Sequence, residues 1–559
     1  MTVHDEDRFH VVVVGSGFGG AVTAYRLAKG GRRVLVLERG QPYPPGSFAR
    51  TPPQMRRAFW DPAGELHGLF EVWRFSDLDM VVSSGLGGGS LIYANVMIPK
   101  DEETFVREDL DAGGREHWPI GWPELECHYD NVRMMQAPQR FPSDVEPYAS
   151  SGKTVAIERA ADVLGLDAER PELAVLFAAP GDAAPIPGAP VSNDNLHHLP
   201  RTTCRLCGEC DLGCNFGAKN TLDYTYLTEA QRAGADLRTC SEVRTIQPAE
   251  REPRGYLIGY RQHLEARNGH RSDLLDPRTD RERTVYGERV VLAAGAVGTP
   301  RLLLMNRAFL PGLSPATGKR VCANGDALAM IRDADRPLDP SHGPVITASI
   351  QVRDGDSASG RAYEIQDGGA PVLADWLWES LDLPKVPWRM RRTILRQLRG
   401  ALVGRRDTNL SAELAEVFGD RSARLMPLLG HGRDVPNGRY VLDGKRFDLE
   451  WSSDPSEDYY RGLEARFEEV AKALGGKMLK SPWHRLNRSI TIHPLGGAVM
   501  AAEPRHGVVN PRGEVFGFPG LYVADGAAMP GPVGVNPSFT IAAFADRVAD
   551  GILREGQGP

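Results

Sequence analysis

The chain has few cysteines, seven in 559 residues. A chain of this length closes an apolar core unaided, so a disulfide-stapled scaffold is excluded as its organising principle. It has no apolar run of the ~18 residues that a membrane-spanning helix needs. It has no excess of positive charge either. With 66 Lys and Arg against 73 Asp and Glu, the net charge is −7, which argues against a nucleic-acid protein as a whole. The opening stretch MTVHDEDRFH has no basic n-region, no apolar h-region and no twin arginine, so a cytoplasmic location with reduced cysteines is expected. Internal repeats and low-complexity tracts are missing as well. What remains is the composition of an ordinary globular enzyme, 41% hydrophobic and 25% charged.

The first positive signal is FHVVVVGSGFGGAVTAYRLAKGGRRVLVLERG. Val11–Val14 is a β-branched run of the kind that forms a buried parallel strand. Gly15, Gly17 and Gly20 follow as G-x-G-x-x-G, with Phe18 inside the motif. A helical stretch Ala21–Lys29, a Gly30-Gly31 turn and a second apolar strand Val34–Leu37 come next. Glu38 closes that strand, 23 residues after Gly15. The three glycines permit a tight turn, a close backbone approach to a pyrophosphate, and tight strand–helix packing. The helix N-terminus offers unpaired N–H groups to the phosphates. An acid at position 38 accepts from both ribose hydroxyls, which favours FAD or NAD over NADP.

Further glycine-rich segments are scattered along the chain: VVSSGLGGGSLIYANVMIP (81–99), ERVVLAAGAVGTPRLLL (288–304), HPLGGAVM (493–500) and GLYVADGAAMPGPVGVNPSFTIAAFADRVADGIL (520–553). Such segments let backbone pass close to a flat ring or a phosphate. Together with GAKNTLDYTYL, these blocks resemble, in the same order, the glucose–methanol–choline oxidoreductases, and most closely their cholesterol-oxidase branch. The resemblance covers about half of the chain and is weak between about 310 and 480.

The resemblance implies FAD as cofactor and oxidation of an alcohol to a carbonyl, with hydride passing to flavin N5. It places His493 and Asn536 at the reactive edge of the flavin, the imidazole handling the hydroxyl proton and the carboxamide binding the substrate oxygen. An imidazole titrates near neutrality, as this chemistry needs. Pro537 restricts the backbone of Asn536 toward extended geometry. Further cofactor contacts are carried over from the matching blocks: Glu38 on the adenosine ribose, Val243 in the adenine pocket, Gly87, Gly89 and Ser90 along the isoalloxazine, and Asp525 near the ribityl or pyrophosphate. Ala294, Gly295, Gly526 and Phe539 complete the set. The chain departs from better-known members three residues after Ser90, where Tyr93 replaces an asparagine; Asn95 follows two positions later. No histidine in this block offers itself for a covalent flavin link. His10 and His128 are read as structural.

Four of the seven cysteines, Cys204, Cys207, Cys210 and Cys214, fall in CRLCGECDLGC. The C-x₂-C-x₂-C-x₃-C spacing is that of a ferredoxin ligand run, although neither the following proline nor a second run is present. It is short for a zinc knot. An iron–sulfur cluster, zinc and metal-free thiols all remain open. A cluster would direct electrons to a protein acceptor instead of oxygen. Cys127, Cys240 and Cys322 read as ordinary core or surface residues.

The expected fold is α/β: a doubly wound, Rossmann-like FAD-binding domain built from discontinuous segments, plus a substrate domain with a mostly antiparallel sheet. The FAD domain takes 1–125, 201–310 with the cysteine cluster, and 481–559 with His493 and Asn536. Residues 126–200 connect and cover the flavin, and 311–480 form the substrate domain. Within the latter, 364–371 reads as a strand and turn. Residues 388–406 read as a basic amphipathic helix, either on the core or touching a membrane surface. Glu364 and Glu379 are the candidates for a double-bond-shifting base, an activity without further support. Residues 261–283 read as an exposed hairpin insertion. The expected substrate is a small hydrophobic, sterol-like alcohol, with oxygen or a redox protein as acceptor. The rival readings are a polar-alcohol dehydrogenase working through a cluster and a non-catalytic flavin electron-transfer protein.

Overall fold

The computed structural model describes residues 4–109, 113–181, 184–191, 194–249, 254–263, 281–357, 359–371, 422–480 and 488–555. The expected amphipathic helix at 388–406, Glu379, and most of the insertion at 261–283 lie outside these residues.

The predicted opening motif folds as β1 (Arg8–Val14), α1 (Phe18–Lys29) and β2 (Val34–Leu37). Val11–Val14 is buried on both faces because helices cover both sides of a parallel sheet. That sheet runs Asp236–Arg238, β2, β1, Arg281–Leu292, with Leu521–Val523 also paired to Arg281–Leu292, all parallel. Tyr256–Gln262 and Ser241–Pro248 extend it antiparallel. The sheet therefore takes strands from both ends and the middle of the chain, as the discontinuous glycine-rich blocks implied. The helix Ser538–Glu555 packs on α1. Arg26 of α1 pairs with Asp546 and Asp550 across that contact.

A second, six-stranded sheet is antiparallel throughout: Asp167–Glu169, Ser349–Val352, Tyr363–Asp367, Met426–Gly432, Ala327–Arg332 and Lys477–Lys480. Its first strand comes from the 126–200 segment. Tyr363, Ile365, Met426 and Leu428 face the helices Gly152–Leu164 and Glu457–Ala473 and form one apolar core with them. Side chains alternate along a strand. Glu364, Gln366 and His431 therefore face the other way, toward the first sheet's glycine-rich loops. Glu364 and His431 are cross-strand partners.

Candidate active site

A cavity of about 390 Å³ lies at the C-terminal ends of β1 and β2, within the ~300–1,000 Å³ range of ligand sites. Its wall joins almost every glycine-rich block. Gly15, Gly17, Phe18, Glu38, Gly89, Val243, Ala294, Gly295, Asp525, Gly526, Pro537, Asn536 and His493 all line it. Five residues of the expected set stand behind the wall. Gly20 lies in α1, where a Cβ would meet Gly15 O at 2.0 Å, so its role is packing. Gly87 holds a left-handed turn at φ +113°, and Ser90 is buried under it, donating to Gly87 O and accepting from Leu222 N–H. Phe539 packs edge-on against Tyr129. Asn95 is buried at φ +72° with neither end of its amide partnered, and Tyr93 lines the wall in its place, edge-on to Phe18.

The cradle fits a dinucleotide. Gly17 caps α1 without a side chain, which leaves the first-turn N–H groups unclaimed at the wall. Gly88, at φ +54°, brings its Cα against Gly17, so that a Cβ there would stand 2.5 Å from Gly17 Cα. Gly89 and Gly295 have nothing within 4 Å of a Cβ position, leaving open the space a flat ring or phosphate would fill. Glu38 ends β2 as expected and orders the motif itself: Ser16 donates to it from N–H (2.9 Å) and Oγ (2.6 Å), and Gly40 from N–H (2.8 Å). Asp525 accepts from Gly295 N–H and Thr299 Oγ, tying the C-terminal block to the helix Gly295–Met305. Burial pushes its carboxyl up to about 6.

His493 follows the short strand Ser489–Thr491, which pairs parallel with Leu78–Ser83. Its Nδ1 lies 3.0 and 3.1 Å from the two oxygens of Asp326. The same carboxylate takes His431 Nδ1 at 2.9 Å, Thr491 Oγ at 2.8 Å and Ile492 N–H at 3.1 Å. Burial opposes the charge on Asp326, but the two imidazoles overcome it and hold the carboxyl well below the usual range. An ionised carboxylate only accepts hydrogen bonds. Both rings therefore carry their proton on Nδ1, and His493, the one at the wall, keeps Nε2 free. Burial pushes His431 down. Its Nε2 lies 3.2 Å from Gln366 Oε1 and 3.4 Å from Asn536 Nδ2, and Gln366 Nε2 donates to Asn536 Oδ1 at 2.6 Å. Asn536 is thus held by Gln366 and set against His431, with an N–H left for a ligand. Asn324 fixes the loop before it, donating to Val535 O and accepting from Val533 and Gly534 N–H.

Asp326, His431, Gln366 and Asn324 carry no sequence motif and were not foreseen. They come from the region where the resemblance was weak. Glu364 sits two residues from Gln366, fully buried beside the Gln366, Ser349 and Gln351 side chains, and burial pushes it up to about 7. His128, read as structural, bonds Asp546 at 2.7 Å; His10 accepts from Arg33 N–H at the surface. None of the seven cysteines forms a disulfide; Cys240 and Cys322 are buried and Cys127 is exposed.

A parallel sheet with a glycine-rich first turn, joined to a cavity bearing an Asp-oriented histidine and a braced asparagine, defines a dinucleotide-dependent oxidoreductase of α/β type. Comparison with known proteins narrows this. A model of an NAD(P)-binding Rossmann-like domain matches residues 13–48. Models described as GMC oxidoreductase match 76–308 and 460–545. A cholesterol oxidase of Mycobacterium tuberculosis (strain ATCC 25618 / H37Rv) is 31% identical, over 97% of this chain and 90% of that protein. A cholesterol oxidase of Acinetobacter baumannii is 27% identical, over 98% and 94%. The crystal structure of pyridoxine 4-oxidase from Mesorbium loti superposes with a TM-score of 0.56 at 18% identity, covering 97% of this chain and 98% of that one, and shows the shared fold. The chain belongs to the GMC oxidoreductase family. Membership implies FAD in the cavity and an alcohol-type CH–OH group as the site of oxidation. Among the described residues no helix is long and apolar enough to cross a membrane.

Proposed function

We propose that the chain oxidises a hydrophobic, sterol-like alcohol to the corresponding carbonyl, with His493 and Asn536 on the reacting C–OH group. The observation that carries this reading is the Asp326 carboxylate bonded to His493 Nδ1. It fixes the tautomer and ring plane so that Nε2 takes the hydroxyl proton as the carbon is oxidised. The free Asn536 N–H binds the substrate oxygen and resists its rotation. FAD, held by Glu38, the α1 N-terminus and Gly88–Gly89, supplies the hydride acceptor. The sterol-like assignment is supported by the two relatives named cholesterol oxidase and by apolar wall residues such as Phe70, Trp73, Val82 and Ile492.

The test is anaerobic stopped-flow reduction of the bound flavin by cholesterol and by long-chain and polar alcohols. His493→Ala should keep its flavin and be reduced about 10²–10⁴-fold more slowly, the usual contribution of a positioned acid–base group. Undiminished bleaching would remove His493 from the chemistry. Bleaching by polar alcohols alone would remove the sterol-like substrate. Bleaching by no alcohol would favour a flavin electron carrier.

A second reading differs only in where electrons go. All four clustered cysteines line one small cavity, and Asp211, next to Cys210 in the chain, lines the large one. That adjacency favours exit through the sulfur loop to a redox protein over direct use of oxygen. Turnover with artificial one-electron acceptors but not with oxygen would establish it.

A further inference from the structure

The loop from Cys204 to Cys214 closes on itself. Cys204, Cys207, Cys210 and Cys214 surround a cavity of about 20 Å³, above the roughly 10–15 Å³ that one water needs. Each sulfur has a backbone N–H directed at it. Leu206 N–H meets Cys204 Sγ at 3.4 Å, and Ala218 N–H meets Cys214 Sγ at 3.3 Å. Glu209 N–H serves Cys207, and Val345 N–H, from a distant segment, serves Cys210. The i+2 to i pattern repeats at Cys204 and Cys207. Leu206, a non-glycine residue, is held at φ +58° and Gly208 at φ +65° to achieve it.

The loop is tied down by hydrogen bonds and an ion pair. Gly208 and Gly343 exchange hydrogen bonds with the facing strand segments, Gly208 N–H to Gly343 O and Gly343 N–H to Leu206 O. Arg50 pairs with Glu209 and donates to the carbonyls of Leu212 and Gly213. Buried Lys219 donates to Cys210 O on one side and to Leu91 O and Tyr93 O on the other, so its Nζ joins the sulfur loop to the flavin-side loop.

The C-x₂-C-x₂-C-x₃-C spacing of these cysteines is that of a ferredoxin ligand run and is short for a zinc knot. A single tetrahedral zinc ion with ~2.3 Å bonds would draw four sulfurs to about 3.8 Å from each other. A cubic cluster, which gives each thiolate a different iron, needs them wider.

We propose that Cys204, Cys207, Cys210 and Cys214 bind a [4Fe–4S] cluster, one thiolate per iron, beside the flavin cavity. Cluster binding stands on the geometry of the loop alone; use of the cluster as a one-electron exit to a redox protein rests on the flavin reading above. The protein is isolated anaerobically with its flavin, and again after reconstitution with ferrous iron and sulfide. Iron and acid-labile sulfide should be present in equal amounts, about four of each per chain. Dithionite should produce a low-temperature paramagnetic signal distinct from flavin radical. Cys207→Ser and Cys214→Ser should lose most of the iron while keeping FAD. Three results each overturn the proposal: trace iron and sulfide after reconstitution, one tightly bound zinc per chain, or four readily titrated thiols in folded, flavin-loaded wild-type protein. These readings use wild-type protein, so misfolded variants leave them intact. Alcohol-dependent bleaching, measured separately, reports on the flavin site alone.

Discussion

Asp326→Asn tests the core of the proposed chemistry, because one carboxylate sets the protonation of two rings. Asparagine is nearly isosteric and keeps one oxygen for Thr491 Oγ and Ile492 N–H. Its nitrogen, however, can only donate. Facing His493 Nδ1 or His431 Nδ1, it forces one ring to move its proton to Nε2. For His493 this puts a proton where the substrate's proton must go. The expected loss is that of a general base, about 10²–10⁴-fold, or roughly 3–5.5 kcal/mol at 1.36 kcal/mol per decade. The assay is anaerobic flavin bleaching at saturating alcohol, with the flavin-to-protein ratio measured first. The cavity-lining glycines are untouched, so the variant should retain FAD. A flavin-replete variant bleaching within threefold of wild type would refute the assignment of Asp326 as the group that sets the His493 tautomer.

Glu364 gives a pH-dependent prediction. Its carboxyl rises from 4.5 to about 7 on burial, so folding favours the neutral acid. Its contribution to stability is complete below pH 4.5 and lost as pH rises through 7, on the order of 3 kcal/mol in all. Glu364→Gln, which cannot ionise, should therefore gain thermal midpoint relative to wild type between pH 5 and 8.5; a gap independent of pH counts against a buried acid there. Gly88→Ala places a methyl 2.5 Å from Gly17 Cα in a left-handed conformation, a clash with backbone that no rotamer relieves. The variant should emerge from a desalting column nearly free of flavin, and a full flavin spectrum would show that this close approach is dispensable.

The nucleotide fold was legible because its constraints are local. Val11–Val14, three glycines and Glu38 occupy one short stretch, and each residue answers a steric or hydrogen-bonding demand that few others meet. His493 and Asn536 stood out through their flanking HPLGG and GVNPSF blocks. Their supports did not. Gln366 and His431 sit on neighbouring antiparallel strands and Asp326 just before a third, and only the register that sets Glu364 opposite His431 turns those two strands' side chains toward the site. A strand's period shows which residues share a face but not which face meets the cofactor. Asn95 shows a subtler limit. The motif suggested a flavin contact, but a left-handed backbone at that residue turns its amide behind the wall, and Tyr93 takes the exposed place. The cysteine spacing named the ligand atoms without revealing the four amide donors, one of which comes from Val345.

The parallel pairing of Leu521–Val523 onto Arg281–Leu292, beside β1, has a temporal consequence. A ribosome adding about 5–20 residues per second completes β1 and its glycine turn about 25–100 s before the last strand of that sheet emerges. During that interval the nascent N-terminal segment exposes an unfinished sheet edge and half a binding site. The parallel sheet, and the cavity wall it carries, is complete only when the C-terminal block has been made.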